Sequence, residues 1–239
     1  MTTSIENALI SQAPPSLYYI PDFITPEEES YLLKQVYAAP KPKWTQLSNR
    51  RLQNWGGLPH PKGMIPEDLP QWLQTYSQKI AALGLFEDKV PNHVLVNEYL
   101  PGQGIMPHED GPLYYPTVST ISLGSHTLLD FYRPITETQA GDNINTNTET
   151  SKTSFEDRYL CSMLLQPRSL ILVRDDMYKV NLHGIAERKE DTITDSVVNL
   201  CKCDGVKIGD KLERTTRVSL TIRYVPKILK AKLFLGKKR

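Results

Sequence analysis

The chain has 239 residues, 39% of them hydrophobic and 23% charged, which excludes a disordered or fibrous protein and allows one sizeable core. Its net charge is only +1, yet Lys227, Lys230, Lys232, Lys237, Lys238 and Arg239 crowd the end beyond Tyr224 with no acid among them. That leaves a mildly acidic body with a basic tail suited to an anionic partner.

In chain order, Thr25-Pro26-Glu27-Glu28 reads as a helix start, with a capping threonine, a proline at the first helical position and a capping-box glutamate. Leu32, Leu33 and Val36 continue it at helical spacing, and Pro40 and Pro42 end it. The segment Lys41 to Gly57 interleaves Lys41, Lys43, Arg50 and Arg51 with Trp44 and Trp55. It is a candidate nucleic-acid surface, or else a loop that its tryptophans anchor to the core. A second helix is expected from near Leu69 to Leu83, with Trp72, Leu73, Tyr76 and Ile80 on one face and Gly84 closing it. After Pro91 come short β-prone runs: His93 to Tyr99, Val118 to Leu123, Thr127 to Tyr132, Ser169 to Val173 and Arg217 to Tyr224. Eighteen prolines and many short strands point to a sandwich or barrel. Pro134 to Asp157 and Glu187 to Glu213 are polar and lack a period, so both are expected to be lids or disordered insertions, with disorder favoured for the first.

Three cysteines, Cys161, Cys201 and Cys203, are no disulfide framework, and Cys201-x-Cys203 has no second pair with which to form a zinc site. With no signal pattern at the start and no apolar run near the roughly 20 residues of a membrane span, a cytoplasmic and nuclear monomer with no membrane partner is expected.

His108 and Asp110 are spaced i and i+2, so an extended backbone turns both to one side and Glu109 away. Two histidines and a carboxylate on one face of an iron make the facial triad of non-haem oxygenases. His60, His93, His126 and His183 are the candidates for the third ligand, and His183 is followed by Gly184, which permits close backbone approach. Arg217, Ser219, Thr221 and Arg223 share one face of an alternating strand, opposite Val218, Leu220 and Ile222. Such a row either faces water or, inside a barrel, meets an anion, which a guanidinium fork grips through two hydrogen bonds. Asn97 and Tyr99 offer further donors from one face.

Taken in order, Asn97-x-Tyr99, Pro101-Gly102, His108-x-Asp110, Ile121-Ser122-Leu123-Gly124, His183-Gly184 and Arg217-x-Ser219-Leu220-Thr221-x-Arg223 resemble the AlkB family of Fe(II)/2-oxoglutarate dioxygenases from about Ile20 to Arg223. The resemblance implies a mainly β fold with flanking helices (α+β), built on a double-stranded β-helix (jelly-roll) core with the two helices backing one sheet. It implies Fe(II) held by His108, Asp110 and His183, and 2-oxoglutarate held at its distal carboxylate by Arg217 with Tyr99, Asn97 and, less directly, Ser219. Arg223 would face the metal-bound end of the cosubstrate or the substrate. Molecular oxygen is the co-reactant, and the substrate is expected to be a nucleic acid, RNA or DNA, that is oxidatively demethylated. The nucleic acid is expected to bind through Lys41 to Gly57 and the basic tail.

The expected layout is one domain: residues 17–90 as helices and substrate lid, 91–226 as core with insertions at 134–157 and 187–213, and 227–239 as tail. AlkB itself carries an asparagine where Ser219 stands. It also has an acidic residue, which reads the base edge, where Pro112 stands, followed here by Leu113, Tyr114 and Tyr115. With that departure, a protein hydroxylase or demethylase with the same iron site, or a non-catalytic nucleic-acid binder, remains an alternative.

Overall fold

The structure is a computed structural model that describes residues 5–14, 16–135 and 154–229. Its strands in chain order are β1 (Leu17–Ile20), β2 (Thr45–Gln46), β3 (Arg51–Trp55), β4 (Gly57–His60), β5 (Gly63–Pro66), β6 (His93–Tyr99), β7 (Ile105–His108) and β8 (Thr117–Leu123). There follow β9 (Thr127–Tyr132), β10 (Tyr159–Leu165), β11 (Leu170–Arg174), β12 (Leu182–Ile185), β13 (Glu190–Thr192), β14 (Lys211–Glu213) and β15 (Arg217–Arg223). Helix α1 spans Pro26–Ala38 and α2 spans Gln71–Ala81.

The larger sheet runs β1-β11-β8-β15-β6-β3-β2, and the smaller runs β10-β9-β12-β7. From β6 onward the chain crosses repeatedly between the sheets: β6 to β7, β8 to β9, β10 to β11, and β12 to β15. All pairings within them are antiparallel. This alternation makes a double-stranded β-helix, the expected jelly roll, with the helices on the outer face of the larger sheet.

Helix α1 begins as its sequence dictates. Thr25 accepts from the Glu28 amide and Glu28 accepts from the Thr25 amide, with Pro26 in the first turn. Leu32 and Val36 of α1, with Trp72, Leu73, Tyr76 and Ile80 of α2, bury themselves against Val218, Leu220 and Ile222 of β15. Each aliphatic side chain buried there contributes about 1.5–3 kcal/mol. The apolar face of β15 is therefore spent on the helices, and its polar face looks between the sheets. Gln53 of β3, wholly buried, donates to the Val36 carbonyl at 2.9 Å and ties α1 to the sheet.

Residues 187–213 depart from expectation. They are folded down, with β13 and β14 paired and Ile193, Val197 and Val198 buried in the core between the sheets. Their polarity is structural. The Asn199 side chain accepts from the Leu164 amide and donates to the Leu164 carbonyl, each at 2.8 Å, serving the edge strand β10 as another strand would. Cys203 is buried and only Cys201 is exposed, so the pair is not two accessible thiols. Of the first insertion, 136–153 lies outside the described residues, as does the tail from 230 onward.

His93 is 1% exposed, and neither ring nitrogen has a hydrogen-bond partner among the described residues. Burial, helped by the Arg223 charge, pushes its pKa from 6.5 down to about 3. A histidine whose folded pKa is depressed binds its proton more readily unfolded, so stability falls as pH drops from about 6.5 toward 3. His93→Phe removes no hydrogen bond and is expected to flatten that acid limb at little cost near pH 7. Urea unfolding midpoints at pH 7, 5.5 and 4.5 check this; equal slopes in both proteins would refute it.

Candidate active site

Strands β7 and β12 are neighbours, and their register sets His183 opposite His108, with ring centroids 4.5 Å apart. Gly184 makes this approach possible. A Cβ there would lie 2.9 Å from the Pro107 nitrogen and 3.0 Å from the Ile105 carbonyl oxygen. His108 Nδ1 lies 2.8 Å from the Met106 carbonyl. That carbonyl can only accept, so the proton sits on Nδ1 and the Nε2 lone pair is left available.

Asp110 follows two residues on. Its Oδ2 is 3.9 Å from His183 Nε2, and its Oδ1 accepts from Arg223 Nη1 at 2.8 Å. Burial pushes the Asp110 carboxyl up, but Arg223 above all outweighs it, and the group stays below the usual carboxylate range. Burial pushes His183 from 6.5 down to about 4, so its imidazole is neutral at neutral pH. Among the described residues no three His, Cys, Asp or Glu side chains are already closed into a cage, and Asp110 is engaged by Arg223. The donors nevertheless fit iron(II): a free His108 nitrogen, a neutral His183 and a carboxylate kept ionised.

Between the sheets lies a cavity of about 270 Å³. His108, Asp110 and His183 line it with Asn97, Tyr99, Arg217, Ser219 and Arg223, so the fold brings every predicted site residue to one space. The register explains this: Arg217 faces Tyr99, and Ser219 lies between Asn97 and Ser122. Arg217 is 4% exposed. Its Nη2 donates to Ser122 Oγ at 2.9 Å, its Nε has no partner among the described residues, and Tyr99 lies under it with the ring 5.8 Å from Cζ. Burial pushes this guanidinium down to about 10, still charged at neutral pH. A buried cation with a single hydroxyl partner is a site made for an anion. Glu109, expected to point away, is exposed yet still borders the cavity.

The other histidines do not join the site. His126 sits 3.4 Å from Asp191, and His60 lines a second cavity of about 560 Å³. That cavity touches the first at Asp110 and is walled by Pro112, Leu113, Tyr114 and Lys227. The tyrosine pair splits. Tyr115 packs on Phe86, whereas Tyr114 lies beneath Arg223, 4.3 Å from Cζ.

The expected surface from Lys41 to Gly57 is largely spent internally. Trp44 and Trp55 pack against the core, Arg51 grips Glu98 at 2.7 and 2.9 Å while lying over Trp44, and Lys43 lies over Trp55 within 3.5 Å of Glu67. These rings anchor α1 and α2 and are not free stacking platforms. Arg50, expected on that surface, lines the main cavity and donates from Nε to Asn97 Oδ1 at 3.2 Å. The alternation Arg50, Leu52, Asn54 against Arg51, Gln53, Trp55 is the signal that places it inside.

Residues 43–223 match the family model of the 2OG-Fe(II) oxygenase superfamily. The Danio rerio protein named probable RNA/DNA demethylase ALKBH6 is 59% identical over 234 residues, covering 98% of this chain and 96% of its own length. Uncharacterized protein L905 of Acanthamoeba polyphaga mimivirus is 32% identical over 217 residues, covering 87% and 84%. Among solved structures, OsALKBH1 shares the fold with a TM-score of 0.53 at 14% identity, over 88% of this chain and 98% of that one.

Proposed function

The chain belongs to the 2OG-Fe(II) oxygenase superfamily, and within it to the AlkB family, so it is a 2-oxoglutarate-dependent oxygenase; from that premise we propose that it oxidatively demethylates a nucleic acid, with His108, Asp110 and His183 holding Fe(II). The observation that carries the assignment of the site is the buried Arg217, without a carboxylate partner among the described residues, in the same cavity as the three proposed metal donors. When bound, the iron supplies the oxidising power: dioxygen is consumed, 2-oxoglutarate becomes succinate and carbon dioxide, and a C–H bond of the substrate becomes C–OH. On an N-methyl group the hydroxylated carbon then leaves as formaldehyde, and its nitrogen regains a proton.

The chain's own part is positioning. Arg217 takes the distal carboxylate of 2-oxoglutarate, and Tyr99 and Asn97 add donors. Ile105, Leu129, Leu165 and Ile171 close the remaining walls against water. Arg223 holds Asp110 and borders the substrate side through Tyr114. The second cavity opens beside Asp110, where Tyr114 and His60 offer ring faces and Lys227 a cation for a phosphate. Pro112 in its wall has neither donor nor acceptor on its side chain, so recognition there rests on shape and stacking.

The test supplies the purified protein with Fe(II), 2-oxoglutarate and air, and offers N-methylated RNA and DNA oligonucleotides beside a panel of peptides. Formaldehyde matching the methyl groups lost, absent with His108→Ala, is the expected result. Inert oligonucleotides together with a peptide that gains one oxygen atom would replace the nucleic-acid reading with a protein hydroxylase.

A further inference from the structure

We propose that Arg50, carried by the turn between β2 and β3, is a second guanidinium for the distal carboxylate of 2-oxoglutarate, working from the same sheet as Arg217 and separated from it by Tyr99. The inference rests on the dioxygenase reading above and goes beyond it by adding a binding residue from outside the jelly-roll strands.

The register places Arg50. In β3, Arg51 stands opposite Glu98, so Arg50 comes level with Tyr99, which itself stands opposite Arg217 across β15. The three occupy successive strands at one level of the sheet. Neighbouring strands are about 4.8 Å apart, so the two arginine backbones flank Tyr99 at roughly 10 Å, a span that two long side chains can close around one carboxylate. The faces agree as well. Arg51 pairs with Glu98 beneath Trp44, on the helix side, and alternation turns Arg50 to the cavity side, where it is one of the lining residues.

Charge points the same way. Asp110 is matched by Arg223 at 2.8 Å. Arg50 and Arg217 make no ion pair among the described residues; their side-chain hydrogen bonds go to the neutral Asn97 and Ser122. The cavity thus holds two uncompensated cations at one end, and a carboxylate has lone pairs enough for two forks. Arg50 also engages Asn97: its Nε–H donates to Oδ1, which fixes which end of that amide is the acceptor.

The turn is held across the mouth. The Leu47 amide donates to the Arg50 carbonyl at 2.9 Å, and the Asn49 side chain donates to Glu187, two residues beyond Ile185 on the opposite sheet. Through Arg50 on Asn97 and Asn49 on Glu187, this turn straps the larger sheet to the chain that follows β12 of the smaller one.

The experiment loads the protein with Mn(II), which supports no turnover, and measures by calorimetry the Kd of 2-oxoglutarate and of 2-oxobutyrate, which has the same keto-acid end but no distal carboxylate. Wild type, Arg50→Ala, Arg50→Lys and Arg217→Ala are compared, with circular dichroism melts to confirm folding. A charge-assisted hydrogen-bond set lost from Arg50→Ala weakens 2-oxoglutarate by about ten- to a hundredfold. Binding of 2-oxobutyrate stays unchanged, and Arg50→Lys falls between. Equal weakening of both acids would reduce Arg50 to a structural strap and overturn the proposal. So would an unchanged 2-oxoglutarate Kd accompanied by weaker binding of a single-stranded oligonucleotide, which would make Arg50 a phosphate contact. If wild type binds neither acid, or Arg217→Ala is without effect, the dioxygenase reading fails as well, which separates the two failures.

Discussion

Asp110→Ala and His183→Ala are both expected to lose the metal, but only Asp110→Ala is expected to lose much of the fold's stability with it. Even residues that merely support a ligand cost about 10–100-fold in metal affinity when removed, so deleting a ligand costs at least the upper end of that range. The two variants part company over Arg223. Its side chain is 6% exposed and pairs with an Asp110 side chain that is 8% exposed. Removing the carboxylate leaves a buried guanidinium without its partner, at a cost of about 3–5 kcal/mol. His183→Ala leaves that pair intact. Urea unfolding of the metal-free proteins distinguishes them: Asp110→Ala unfolds well before His183→Ala, and the double variant Asp110→Ala, Arg223→Met recovers part of the loss. Equal midpoints for the two single variants would mean that Arg223 finds solvent or another acceptor, and that its bond to Asp110 contributes little to the fold.

A loss of similar size is expected from Asp191→Ala, away from the metal donors. Asp191 is fully buried. It accepts two 2.7 Å hydrogen bonds from Arg214 and lies 2.9 Å from Arg188 Nε and 3.4 Å from His126 Nε2. Arg214 also donates to the Ala186 carbonyl at 2.7 Å. The cluster therefore joins the chain after β12 to the chain before β15, three residues from Arg217. Burial works against the Asp191 charge, but His126 and the arginines outweigh it and hold the carboxyl far below its ordinary 3.8. Its folded pKa is depressed, so the stability it adds is complete above about pH 4 and drains away as pH falls toward the folded pKa. Asp191→Ala should cost about 3–5 kcal/mol near pH 7 because it strands buried Arg214. Replacing both partners with leucine should return much of that. Thermal unfolding of the single and double variants at pH 7 and pH 3 reads both effects; a single variant as stable as wild type at pH 7 would show the cluster to be solvated.

The parts legible beforehand are those written in local pattern. The capping box of α1, the buried face of α2 and the period-two row of β15 each follow from spacing within about a dozen residues, and the structure has them as expected. The ordered motif set pointed to the jelly roll and to one group of site residues, which the fold gathers around one cavity. The misses share a cause. Polarity in 187–213 reads as a lid or a disordered insertion, because a buried Asp191 or Asn199 looks like a surface residue until its partner from another segment is known. For Lys41 to Gly57 the sequence leaves two readings, a nucleic-acid surface or a loop anchored by its tryptophans, and only partners from other segments separate them: Trp44, Trp55, Arg51 and Lys43 each find one within the fold.

The sequence by itself determined which side chains share a face, where the helices start and which residues are able to hold a metal or an acid, because those properties depend on backbone period and side-chain chemistry alone. Residue chemistry by itself leaves four histidines open as the third ligand and the family resemblance names His183; tertiary structure is what sets His183 beside His108, through the register of β12 on β7 and the missing Cβ of Gly184. Tertiary structure also decided that the arginine face of β15 looks into a cavity between the sheets, and that Arg50 joins it from a turn far away in the chain. The physical reason is that a polar strand face reads the same whether solvent or a second sheet covers it. Pairing between strands so distant in sequence leaves no trace in local periodicity, and it is the pairing that sets which charges are left without partners.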